Sequence, residues 1–204
     1  MTVAVSKDDG LTREKILQSA IDAIDSHGEG ALRIVDVARN AGVSQGMIRY
    51  YFGDRDTLVA SAMAARFGQR YGFKLDEFAH LASRCNSSME FRLAIEQTLS
   101  VVFVPERSRV RLERNSDIGN AKDHSEFAEQ IADERNALCR NLAEVFESVQ
   151  QRGLIKESVN CLHIAGLYLS FAHGISLWEL GPEFLSRQEL VTTFQEMLFA
   201  VLFE

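Results

Sequence analysis

Apolar positions from Thr12 onward fall at Ile16, Leu17, Ala20, Ile21 and Ile24, the one-sided spacing of a helix that turns every ~3.6 residues. Thr12 offers a capping hydroxyl at its start, and His27-Gly28 supplies its stop. Val35, Val37, Ala38 and Ala41 mark a short second helix closed by Gly42, whose missing Cβ tolerates the left-handed backbone of a tight helix end. Ser44 then caps a third helix from Gln45 to Phe52, and Asp54 caps a long fourth one carrying Leu58, Val59, Ala62, Met63, Phe67, Tyr71 and Phe78.

The same signals continue along the chain. Ser87-Ser88-Met89-Glu90 has capping-box spacing and opens a helix that must end before Pro105. Helices follow from Arg107 to Ile118, from Asp123 to Gly153, and from Ser158 to Leu180, the last closed by Gly181-Pro182. Ser186-Arg187-Gln188-Glu189 is a second capping box and opens the final helix. Sustained alternation of β-branched and polar residues is missing, so the fold class is all-α.

Charge divides the chain unevenly. Residues 1–75 carry 10 Lys/Arg and 9 Asp/Glu, whereas the remainder carries 12 and 20, so the head is at +1 and the C-terminal part at −8. An acidic body with a relatively basic head can still bind nucleic acid through the head. Cys85, Cys139 and Cys161 are spaced for neither a disulfide framework nor a zinc site and read as reduced packing residues, so no metal and no cofactor is expected. The N-terminus lacks a signal-peptide pattern. The long apolar stretch from Cys161 to Leu180 is interrupted by His163, Ser170, His173, Ser176 and Glu179, which marks a buried helix rather than a membrane span. A soluble cytoplasmic protein is the expectation.

Two short helices joined by Ala41-Gly42-Val43-Ser44 and preceded by a longer one have the dimensions of a helix-turn-helix. On a helical wheel Ile48, Tyr51 and Phe52 face inward, and Gln45, Gly46, Arg49 and Tyr50 face out. That outer strip suits a major groove: an amide pairs with adenine, a guanidinium with guanine, and a glycine lets the backbone approach the duplex. Ser44 sits at a helix N-terminus, where partial positive charge favours a phosphate, and Tyr50, Tyr51 and Arg55 can reach the backbone. Tyr51 has core packing as an equal alternative.

The run Val37-Ala38-Arg39-Asn40-Ala41-Gly42-Val43-Ser44-Gln45-Gly46, followed by Tyr51-Phe52 and Arg55 to Leu58, resembles the DNA-binding domain of the TetR family of transcriptional regulators. The resemblance covers about residues 12–60. It implies DNA contacts from Ser44, Gln45, Arg49, Tyr50, Tyr51 and Arg55. Arg49 stands where the family commonly has Tyr, and Arg33 stands where it often has a capping Thr, which turns Arg33 toward phosphate. Arg49 and Tyr51-Phe52-Gly53 resemble the branch that includes the betaine-pathway repressors, whose effector is not carried over.

The expected organisation is therefore a flexible arm over 1–11, a three-helix helix-turn-helix domain over 12–56, and a helical effector-binding and dimerisation bundle over 57–204. The expected partners are a palindromic double-stranded operator, a small-molecule effector, and a second copy docked through the last two helices, where Ala165, Gly166, Leu169, Ala172 and His173 allow close approach and Met197 to Phe203 is apolar all round. Candidate effector contacts are Phe67, Tyr71, Phe103, Asn115, Tyr168 and His173. Two other readings compete. Gly42-Val43-Ser44-Gln45-Gly46 matches a hydrolase nucleophile elbow, which requires a strand before the serine. A helical protein-interaction adaptor explains the acidic bundle but leaves the Gln45, Arg49 and Tyr50 strip without a purpose.

Overall fold

The computed structural model describes residues 7–72, 74–121, 125–180 and 184–203, and these are helical almost throughout, with no strand among them. Two compact units divide the chain. The first comprises residues 1–68 and 120–134, the second residues 69–119 and 135–204.

In the first unit α1 (Lys7–His27) packs on α2 (Ile34–Ala41), which packs on α3 (Gln45–Phe52). α1 starts before Thr12, which therefore lies inside the helix instead of capping it, and residues 7–11 of the expected arm are helical. The rest of that arm is outside the described residues. Ile16, Ala20, Val37, Ile48 and Leu58 are almost completely buried and form the centre of the unit. Ser19, buried among them, satisfies its hydroxyl by donating to the Val37 carbonyl at 3.3 Å. A 3₁₀ turn over Glu29–Ala31, which the apolar pattern does not announce, links α1 to α2. The Arg55 side chain holds that linker: its Nε donates to the Leu32 carbonyl at 3.0 Å and its Nη2 to the Glu29 carbonyl at 2.6 Å.

α4 (Arg55–Tyr71) is capped by Asp54, whose Oδ1 accepts from the Thr57 amide at 2.8 Å. Hydrogen bonds from Thr57 hold the Asp54 carboxyl below the usual carboxylate range, so this cap is at full strength above that range and is lost as pH falls through the lowered pKa. α4 stops at Tyr71, not beyond Phe78. The chain turns through Gly72, Lys74 takes a left-handed φ of 69°, and α5 (Leu75–Arg84) carries Phe78 separately. Apolar spacing continues across this break, so period alone cannot reveal it.

The second unit is built on α5, α6 (Ser88–Val102), α7 (Ser108–Ala121), α8 (Ser125–Gln151), α9 (Cys161–Gly174) and α10 (Arg187–Phe203), with α7 and α8 contributing their ends to the first unit. The α6 cap is a capping-box variant. Ser87 Oγ accepts from the Glu90 amide at 3.2 Å, while the Glu90 carboxylate accepts from the Asn86 amide at 2.6 Å. The helix expected from Asp123 has its start outside the described residues and is closed as expected near Gly153, at φ 70°.

The long helix expected from Ser158 to Leu180 is shorter at both ends. Asn160, not Ser158, caps α9 by accepting from the His163 amide at 2.9 Å, and after Gly174 the chain tightens into a 3₁₀ turn over Ile175–Glu179. Cys161–Glu179 has the length and composition to cross a membrane. Cys161, Ile164, Ala165 and Ala172 are nonetheless buried in the core of this unit, and Leu169 is buried beside them. The Gly181-Pro182 stop lies outside the described residues.

Phe78, Phe91 and Phe146 form the centre of the second core, each ring centroid within 6.0 Å of the other two. Arg152, past the end of α8, fastens the last turn of α5: it donates to the carbonyls of Ala82 at 2.7 Å, Cys85 at 2.9 Å and Ser83 at 3.2 Å. Carbonyls in the last turn of a helix lack the usual amide four residues on, and among the described residues only Ala82 of these three accepts from a backbone donor, the Cys85 amide at 3.3 Å, so a guanidinium is a natural cap for them. Arg152→Ala should lower unfolding free energy by about 2 kcal/mol in urea titration, and Arg152→Lys should recover only part of it, because one ammonium cannot span three acceptors.

Candidate nucleic-acid interface and effector cavity

Gly42, at φ 69°, ends α2 in the left-handed conformation and returns its amide to Ala38 and Arg39. Two residues later Ser44 is extended, and its Oγ accepts from the Met47 amide at 3.2 Å. The turn is therefore fixed at both ends, by a residue that tolerates positive φ and by a side chain that replaces a missing backbone acceptor. Ile48 and Phe52 are buried, which fixes how α3 is rotated and leaves Gln45, Gly46, Arg49 and Tyr50 exposed. Tyr50 is 78% exposed, an unusual amount for an aromatic side chain. Tyr51 is half-buried, edge-on to Tyr50 at 5.1 Å. Arg13 lies over the Phe52 ring at 5.2 Å and backs the helix from the core side.

Arg33 is exposed and makes no side-chain capping bond to α2. Arg55 differs: with Nε and Nη2 engaged by carbonyls, its Nη1 pairs with the exposed Asp56 at 3.1 Å. A Cβ added at Gly46 would meet only Ser44 Oγ, at 3.6 Å, an ordinary contact. Folding of the free chain does not require glycine there. Ser44 lies between two helices with its oxygen capping α3, so the strand that a nucleophile elbow needs is absent around it.

In the second unit a cavity of about 50 Å³ opens among Phe78, Ile95, Leu99, Leu142, Phe146 and Leu198, with Lys74 and Tyr168 among its polar lining. A smaller one of about 20 Å³ is bounded by Phe103, Tyr168 and the guanidinium-bearing Arg70, Arg107, Arg111 and Arg114. Of the expected effector contacts, Phe103 and Tyr168 are brought together, their rings 6.3 Å apart, and both line the second cavity. Phe67 is buried in the first unit and lines neither. The Tyr71 side chain is outside the described residues.

Asn115 and His173 stand in neither lining. Asn115 Nδ2 donates to the buried Ser176 hydroxyl, which donates to the His173 carbonyl at 2.6 Å. Burial, and then the charge of Arg114, hold the His173 imidazole below its ordinary pKa.

The four arginines escape a search for aromatic ligand contacts, although their signal is present in the sequence. Arg107, Arg111 and Arg114 are spaced by four and three residues, which places them on one face. Arg111 and Arg114 are buried. Arg111 donates from Nε to both Glu179 carboxylate oxygens at 3.0 Å, from Nη1 to the Val102 carbonyl at 3.2 Å and from Nη2 to the Val104 carbonyl at 3.1 Å. Arg70 pairs with Glu113 at 3.0 Å and Asp117 at 3.6 Å. Burial pushes the Tyr168 hydroxyl up to about 12, with Arg114 and Arg107 pulling the other way, so this largely buried residue keeps its phenol end protonated.

The family model for bacterial regulatory proteins of the tetR family matches residues 16–62. The HTH-type transcriptional regulator BetI of Pseudomonas fluorescens is 38% identical over 53 residues, which are 26% of this chain and 27% of that protein. The chain thus spans about a quarter of the length of the curated relatives it matches. Beyond that segment likeness is one of fold. A TetR-family transcriptional regulator from Cytophaga hutchinsonii superposes with a TM-score of 0.62 at 15% identity, covering 99% of this chain and 100% of that one. SmeT, solved as a complex with triclosan, gives 0.58 at 15% identity over 95% of this chain and 92% of its own. Residues 16–62 thus match the N-terminal domain of bacterial regulatory proteins of the tetR family, and the fold is shared with solved regulators along nearly the whole chain.

Proposed function

We propose that the chain is a cytoplasmic transcriptional regulator, not an enzyme, that binds a palindromic operator as a homodimer and is released from it by a small molecule. The observation that carries this reading is the outward strip of α3: an amide, a guanidinium and a phenol exposed on a short helix whose other face is buried and whose N-terminus is capped. Gln45 and Arg49 read base edges, Gly46 lets the helix backbone approach, and Ser44, Tyr50, Tyr51 and Arg33 contact phosphates. Arg55 reaches phosphate through Nη1 while its other nitrogens brace the linker.

Dimerisation runs through exposed faces of α9 and α10. Ala165 and Ala172, expected at that interface, are spent on the core of their own unit, and Leu169 lines its apolar cavity. Leu162, Leu167, Met197 and Val201 are the large apolar side chains left exposed, and a Cβ at Gly166 would meet only open space, which suits the approach of a partner helix. The effector occupies the cavities of the second unit and favours one state of the dimer. Operator affinity falls by the ratio of the effector's affinities for the two states. SmeT's complex with triclosan supports a small-molecule site in this fold.

Three outcomes test this reading. Arg49→Ala should reduce discrimination between the operator and its single-base variants by about 1–3 kcal/mol in fluorescence anisotropy; equal loss at every variant would remove Arg49 from base readout. Gly46→Ala should leave the melting temperature unchanged or slightly raised while weakening operator binding, since the added methyl fits the free chain and obstructs only the approach of DNA. Met197→Glu, at a position 65% exposed, should leave the fold intact, yield monomers in sedimentation, and lower operator affinity with them; a dimer that survives places the interface elsewhere.

A further inference from the structure

The two cavities of the second unit have opposite chemistry and a common wall. α6 lines the apolar one with Ile95 and Leu99, and its C-terminal end lines the cationic one with Val102 and Phe103. From Ile95 to Phe103 the helix rises about 12 Å, so the two lie in succession along α6. Tyr168 borders both. An apolar cavity that shares a tyrosine with a neighbouring cavity lined by four arginines is matched by a molecule with a chain at one end and an anion at the other.

We propose that the effector is a carboxylate-headed amphiphile, a fatty or aryl-alkyl monocarboxylate with its chain among Phe78, Ile95, Leu99 and Phe146 and its carboxylate at Arg107, Arg114 and Tyr168. This rests on the regulatory reading above and adds the ligand class to it. Guanidiniums bind carboxylates through paired N–H donors, and the Tyr168 hydroxyl, protonated at neutral pH, adds a third kind of donor. Arg111 is held by Glu179 and two carbonyls and acts as a fixed neighbouring charge. Burial, and next the charge of Arg111, lower the pKa of Arg107, and an incoming carboxylate offsets both effects.

The local carboxylates also set the charge of the ligand. Glu113 and Asp117 pair with Arg70 and Glu179 with Arg111, and these nearby carboxylates repel a dianion more than a monoanion. Lys74, which also lines the apolar cavity, is paired with Glu77, and a head group placed there would have to displace that carboxylate.

Calorimetry on the DNA-free full-length protein tests this with three probes of one chain length: decanoate, decanol and decylamine, each below its aggregation concentration. Decanoate should bind once per chain and about ten-fold or more tightly than decanol, with decylamine weakest. Arg107→Gln should remove most of the preference for the acid while decanol affinity is unchanged, which also shows that the cavity is intact; Arg107→Lys should restore part of it, and Lys74→Gln should leave it untouched. Equal binding of decanoate and decanol, a preference that survives Arg107→Gln, or one lost in Lys74→Gln overturns the assignment. Because no DNA is present, failure here falls on the ligand class alone. If decanoate binds as described but leaves operator affinity unchanged, it is the regulatory reading that fails.

Discussion

The rotation of α3 about its own axis is the constraint on which the rest depends. Ile48 and Phe52 are buried on one side, and the turn before them is pinned by a left-handed Gly42 and by the Ser44 hydroxyl on the Met47 amide. A helix this short has little intrinsic stability, so its orientation comes from burial and capping, not propensity. Rotation by one residue's worth of turn would bring Arg49 toward the core at the full cost of an unpaired buried charge. The exposed chemistry of the strip is therefore a by-product of a well-determined core.

The second unit solves a different problem. Buried guanidiniums are costly unless their donors are satisfied, and Arg111 meets that cost with Glu179 and two carbonyls at the end of α6. Such a network stabilises less than an apolar core of equal volume would, so its presence next to a cavity is better explained by recognition than by folding. Phe78, Phe91 and Phe146 supply the ordinary cohesion of this unit, and Arg152 and Asn160 close helix ends that the core alone would leave frayed.

Much of this was legible in the residues. Gly42, Ser44, Asp54, Ser87 and Ser186 each act through a local backbone requirement, and each is found where the sequence places it at a helix end. What escaped depends on tertiary context. The break between Tyr71 and Leu75 falls where apolar spacing runs on without interruption, and Asn160 rather than Ser158 caps α9, with Val159 between them buried. Ala165, Leu169 and Ala172 show the same limit, since a helix apolar on several faces does not disclose which face meets its own unit. The arginine face of α7 was visible as spacing, but its burial was not, because charged residues are ordinarily read as solvated.

The central claim is that an outward α3 strip on a paired chain reads a symmetric sequence. Selection from random duplexes by the full-length protein at low ionic strength, followed by sequencing of the bound fraction, tests it most directly. The account predicts enrichment of an inverted repeat whose half-sites are about one or more helical turns apart. Recovery of a bound pool no different from the input would contradict it.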